Sequence, residues 1–107
     1  MSVKEIDKKT IQSLLPHREP MLLIDKLINI VPLKSATAIM HVKKDEFYVQ
    51  GHFPNQPVMP GVLIVEAFGQ AAAALTAHGI DPKEYKNKLV YLMSVDKARF
   101  RNPVIPD

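Results

Sequence analysis

Two side chains of this 107-residue chain stand where their types are costly unless they have work to do. Glu66 is the one charged side chain between Pro57 and Ala77, a run otherwise apolar or small. A carboxylate in such surroundings is expensive to desolvate unless paired, and desolvation disfavours its charged form, so Glu66 is expected to line a cavity or an interface. The other is His52, in Gly51-His52-Phe53-Pro54, a ring that titrates near neutrality on a loop stiffened by an aromatic and a proline. Between them lies Met59-Pro60-Gly61-Val62, where free N-H groups at a helix start can hold a developing oxyanion. A base, a carboxyl and an oxyanion site suit proton abstraction beside a carbonyl, and equally suit several hydrolases.

Each feature also has a plain structural explanation. Glu66 can accept hydrogen bonds from a neighbouring loop and only fix packing. Gln70 lies one turn further on the same helix face, with Gly69 beside it allowing close backbone approach. A lone histidine is usually structural, and three others show the contrast. His17 follows Pro16 after a helix, His41 alternates on a strand, and His78 sits at a helix end whose dipole favours a cation. None of these three is expected to be catalytic.

The elements that must position these groups follow from periodicity. Ile11, Leu14 and Leu15 predict a short amphipathic helix over Asp7 to Leu15, ended by Pro16. Met21 to Val31 and Ala36 to Val42 predict two strands joined by a turn at Pro32-Leu-Lys-Ser35. Asp45 to Met59, rich in proline, predicts an irregular loop. Gly61 to His78 predicts a long helix, with Pro60 as a first-turn proline and Gly79 as its stop. Apolar residues on all sides of that helix predict burial nearly all round, and Glu66 and Gln70 argue against a membrane span. Leu89 to Arg101 reads as a strand, with Leu89, Tyr91, Met93 and Val95 on one face. The fold class is therefore α+β, an antiparallel sheet curled around a central helix.

Composition narrows the function classes. The chain is 47% hydrophobic and 23% charged, as expected of one small globular domain. It has no cysteine, which removes disulfides and thiolate metal sites and fits a reducing cytoplasm. The first ten residues have no apolar core of a secretory signal. A net charge of +3 suits an acidic protein partner. No zinc spacing, phosphate loop or basic-aromatic motif points to a metal or to nucleic acid. Lys97, Arg99 and Arg101 are candidates for contact with such a partner, or else a solvated strand face.

The block Gly51-His-Phe-Pro-Asn-Gln-Pro-Val-Met-Pro-Gly-Val-Leu-Ile-Val-Glu-Ala-Phe-Gly-Gln70 closely resembles the active-site block of bacterial β-hydroxyacyl-acyl carrier protein dehydratases. Leu15-Pro-His-Arg-Glu-Pro-Met-Leu-Leu-Ile-Asp25 and Asp96-Lys-Ala-Arg-Phe-Arg-Asn-Pro-Val104 resemble two further signatures of that family. The resemblance implies a hot-dog fold assembled as homodimers, commonly trimers of dimers. It implies that His52 of one subunit faces Glu66 of the other across a tunnel for the acyl chain. His52 would take the C2 proton, Glu66 would protonate or orient the departing 3-hydroxyl, and the Gly61 N-H would polarise the thioester carbonyl. Gln70, Phe53 and Pro60 would support the site, and Val58 and Phe68 are candidate tunnel walls, with plain core packing the alternative for each. The partner would be acyl carrier protein, whose phosphopantetheine carries the substrate, and no metal, other cofactor or membrane is implied. Glutamate at position 66 resembles the dehydratase-only branch rather than the dehydratase-isomerase branch, which carries aspartate there.

Residues 1–107 are thus expected to form a single hot-dog domain. Three strands are too few to wrap the helix, and family members run on after the Pro-Val-Ile-Pro stretch, so C-terminal strands are expected to be missing. Two other functions stay open. A hot-dog thioesterase would need a carboxylate placed to activate water, and a non-catalytic acyl-carrier or acyl-chain binding module would bind without turnover.

Overall fold

In the computed structural model, residues 4–79 and 98–107 are described. The element order is β1 (Ile6–Asp7), α1 (Lys8–Leu14), β2 (Lys26–Val31), β3 (Ser35–Ile39), α2 (Phe47–Gln50) and α3 (Gly61–His78). The strands form one antiparallel sheet in the order β1-β2-β3, and α3 packs on β2, β3 and α1. An antiparallel sheet carrying one long helix is the α+β arrangement read from the sequence.

Helix α1 starts where the sequence provides a cap. Asp7 is extended, and its carboxylate accepts a hydrogen bond from the Thr10 N-H at 2.9 Å, which holds that carboxyl below the usual carboxylate range. Ile11 then points inward and is fully buried. The β2–β3 hairpin turns at the expected place, closed by Lys34 N-H to the Val31 carbonyl at 2.9 Å. Within β2 the register shifts between Ile28 and Val31, and Asn29 takes φ 51°. That bulge places Leu27 and Ile30, three residues apart, on the same buried side, which strict alternation would forbid.

The first strand is shorter than expected. Met21 to Asp25 is irregular because Leu22, Leu23 and Ile24 are buried in succession, two facing the cluster with α1 and β2 and one facing the cluster with Val49 and Met59. The Asp45 to Met59 loop contains one helical turn, α2, which buries Tyr48 and Val49 on adjacent positions. A turn this short carries too little periodicity to be read from sequence. Residues 89–97 of the expected last strand lie outside the described residues, and Ala98 to Arg101 is irregular.

Helix α3 has the bounds read from its flanks. Pro60 is its N-cap rather than its first-turn residue, and Gly79 ends it in an ordinary right-handed conformation. Space favours glycine there: a Cβ would lie 2.7 Å from the exposed Leu33 side chain at the hairpin tip, which would have to shift. The expectation of burial all round is not met. Gln70, Ala74 and Ala77 are buried against the sheet and α1, while Val62 is 75% and Phe68 73% exposed. The sheet of the described residues is laid along one side of the helix, and the apolar Val62 and Phe68 are on the open side. Among the described residues α3 alone is long and apolar enough to cross a membrane, with mean hydropathy 1.2, and its polar Gln70 lies on the packed side.

Burial of Tyr48, 6% exposed, pushes its hydroxyl up to about 12, with the negative charge of Glu46 adding to the rise. Its raised value means stability is fully present below pH ~10 and is lost as pH rises toward 12, because the unfolded chain ionises first. Melting temperature measured across that window should fall more steeply for the parent than for Tyr48→Phe, and equal slopes would contradict this account.

Candidate active site

Glu66 sits in the second turn of α3 and turns toward the segment after α1. Its side chain is 27% exposed, so the carboxylate is partly sheltered rather than sealed. Oε2 accepts a hydrogen bond from Gln70 Nε2 at 2.9 Å, the contact that their spacing of one helical turn predicts. Oε2 also lies 3.5 Å from Nε2 of His17.

Gln70 is the buried polar residue of the described chain, at 1% exposure. Its Oε1 accepts from the Leu23 N-H at 2.8 Å and its Nε2 donates to the Met21 carbonyl at 2.7 Å. The amide orientation is forced, since a backbone N-H can only meet the oxygen end. These bonds also explain why the chain before β2 leaves strand geometry: a side chain takes the backbone groups that a ladder would use. Gly69, by contrast, has open space where a Cβ would stand, so the expected close backbone approach is absent there.

His52 belongs to a different neighbourhood. The loop around it closes on itself through Val58 N-H to the His52 carbonyl at 2.7 Å and reciprocal Phe53–Gln56 bonds at 3.1 and 3.0 Å. His52 Nδ1 is 3.0 Å from the Val58 carbonyl. A carbonyl can only accept, so Nδ1 carries the hydrogen, and the neutral ring presents an unprotonated Nε2. The Phe53 ring, itself 56% exposed, stacks on the imidazole at 4.3 Å. A base on a loop closed by its own hydrogen bonds, with no hydrogen bond to Nε2 among the described residues, is what proton abstraction requires.

Gly61 opens α3 behind a Pro60 N-cap with no side-chain hydrogen bond, and among the described residues no side chain bonds to the Gly61 or Val62 N-H. A Cβ at 61 would meet the Phe100 ring at 3.1 Å, which gives the glycine a packing reason besides substrate approach. Phe68 lines an open apolar groove of about 460 Å³ between α3 and β3, with Met40, Ile64 and Val104. Val58 lines another, with Pro57 and Ile105, so the two proposed tunnel walls do not share a cavity.

Within one chain the structure does not bring His52 and Glu66 together: among the described residues no hydrogen bond or ion pair joins them. Besides Gln70, the residue that meets Glu66 is His17, which sequence spacing passed over. Helical periodicity cannot link positions so far apart, and the one available signal was the Leu15-Pro-His-Arg run itself. His41 instead contacts Asp107 at 3.0 Å, and His78 borders a groove with Asp7 and Lys26. Arg99 and Arg101 are exposed, and Lys97 lies outside the described residues. No group of three or more histidine and carboxylate side chains able to hold a metal occurs among the described residues.

Comparison with known proteins now assigns the class. A family model described as a FabA-like domain matches residues 15–107, and the chain belongs to that family. It is 52% identical over 101 residues to the 3-hydroxyacyl-[acyl-carrier-protein] dehydratase FabZ of Anaeromyxobacter sp. (strain K), covering 94% of this chain and 65% of that protein. It is 50% identical over 106 residues to the protein of the same name from Magnetococcus marinus, covering 99% of this chain and 69% of that protein. The chain thus spans about two thirds of the length of the curated relatives it matches.

Replacing Gln70 by leucine should strand the buried Leu23 N-H and the Met21 carbonyl, at roughly 1–3 kcal/mol for each group left unpaired. Urea denaturation should show a midpoint clearly below the parent's, and an unchanged midpoint would mean that the amide clamp contributes little.

Proposed function

We propose that this chain carries the catalytic residues of a dehydratase converting (3R)-hydroxyacyl-acyl carrier protein to trans-2-enoyl-acyl carrier protein during fatty-acid elongation. The observation that carries this reading is identity of about 50%, over nearly the whole chain, to proteins named for that reaction. The unprotonated Nε2 of His52 and the partly exposed carboxyl of Glu66 suit the chemistry.

In this reading the thioester carbonyl sits at the start of α3, where the Gly61 N-H polarises it and makes the C2 hydrogen more acidic. His52 Nε2 takes that proton as the C2–H bond breaks. The electron pair forms the C2–C3 double bond and expels the 3-hydroxyl, which leaves as water with a proton from Glu66. Proton donor and acceptor are regenerated when His52 loses, and Glu66 regains, one proton each.

Because His52 and Glu66 of one chain are not in contact, the reading pairs His52 of one protomer with Glu66 of a second in a homodimer, with trimers of dimers the larger assembly. The open face of α3, where Val62 and Phe68 are exposed, supports such pairing. Residues 1–107 are read as part of a single cytoplasmic hot-dog domain. Gln70, Phe53 and Pro60 hold the site's shape, Val58 and Phe68 are candidate acyl-chain contacts, and Arg99 is a candidate contact for the acidic carrier. No metal or cofactor beyond the carrier's phosphopantetheine arm enters the chemistry.

The test is intact-mass analysis of 3-hydroxyacyl- and trans-2-enoyl-acyl carrier protein incubated with this chain and with His52→Ala and Glu66→Gln. The parent should remove one water from the first substrate and add one to the second, with each variant slower by roughly 10²–10⁴-fold. No mass change with a folded parent would overturn the enzymatic reading in favour of acyl-carrier binding alone.

A further inference from the structure

Resting on that dehydratase reading of Glu66, we propose that His17 is a positioning residue of the same site. Its Nε2 edge and the Gln70 amide together hold Oε2 of Glu66, so that the proton this carboxyl delivers is carried on Oε1.

Gln70 supplies the first hold. Its amide cannot flip, because the buried Leu23 N-H must meet oxygen, so its N-H is fixed toward Glu66 Oε2 at 2.9 Å. A hydrogen on Oε2 would point against that N-H. Among the described residues no hydrogen bond reaches Oε1, which is left to carry the proton and to face a substrate.

His17 adds the second hold. Its side chain is 18% exposed, its Nε2 stands 3.5 Å from Oε2, and its Nδ1 is buried without a hydrogen-bond partner. A ring with its hydrogen on Nδ1 would bury an unpaired N-H, whereas a hydrogen on Nε2 leaves only a bare acceptor inside and turns the donor to Glu66. At 3.5 Å the contact is longer than a hydrogen bond, as catalytic contacts often are before substrate arrives and tightens them. The backbone that carries His17 is itself tied: the Arg18 guanidinium donates to the Leu15 and His17 carbonyls at 2.9 and 2.7 Å.

Among the described residues no other charged group of this chain competes for this role. On the elements packed against α3, Lys8 is paired with Glu19 and Asp25, and neither Lys9 nor Lys26 lies within ion-pair distance of Glu66. Arg18 is spent on backbone carbonyls. The contact is therefore specific to the His17 ring.

The test compares His17→Leu, which keeps bulk without a donor, with His17→Gln, whose amide can place an N-H near the same oxygen. Steady-state dehydration should show kcat lowered roughly ten- to a hundredfold by the leucine with little change in KM, and largely restored by the glutamine. A leucine variant that melts like the parent and matches its kcat would overturn the proposal. A second arm does not need turnover: ¹H–¹⁵N correlation spectra of the imidazoles should show the His17 hydrogen on Nε2, with a resonance displaced in Glu66→Gln. A hydrogen on Nδ1, or a His17 signal indifferent to Glu66→Gln, would also overturn it. A parent that shows the expected spectrum but removes no water would sink the dehydratase reading while leaving the His17–Glu66 contact in place.

Discussion

The arrangement depends on one buried amide. Gln70 is sealed at 1% exposure, and an unsatisfied amide at that depth would cost several times what an ordinary hydrogen bond contributes. All of its bonds therefore have to be made at once. Meeting them joins the middle of α3 to the Met21–Leu23 segment and aims an N-H at Glu66. Leu22 and Ile24, flanking Leu23, then fall into the cluster with Ile11, Leu27 and Ala74, so a polar constraint fixes which way the apolar chain turns. The carboxyl of the site is oriented by the same bonds that hold the fold together.

The two ends of the proposed chemistry are supported differently. His52 is held by local contacts, its loop closing within a few residues and the Val58 carbonyl setting its tautomer. Glu66 is held by contacts remote in sequence, through Gln70 and His17. Local support gives a base whose direction survives independently of its surroundings. Remote support makes the geometry of the carboxyl depend on the packing of α1 and the following segment against α3.

Much of this was legible from residue types. The bounds of α3 follow from Pro60 and Gly79, since one cannot continue a helix backward and the other ends it, although their detailed reasons proved steric and capping rather than those first expected. The β2–β3 hairpin follows from Pro32 to Ser35. The chain before β2 was misread because side-chain amides can replace ladder partners, and no periodicity encodes that substitution. The bulge at Asn29 and the turn at α2 escaped for a similar reason: each is one irregular step chosen to bury a neighbour.

The sequence by itself determined which groups have chemical capacity, namely His52, Glu66 and the Gly61 helix start, because cost and titration are properties of residue type in local context. It also determined family membership through an unbroken run of motif residues. Tertiary structure alone decided that Glu66 meets His17, that one side of α3 stays uncovered, and that His52 stands apart from Glu66 within a chain. Those are matters of distance between remote segments, set by how buried polar groups find partners and by where the described strands lie against the helix.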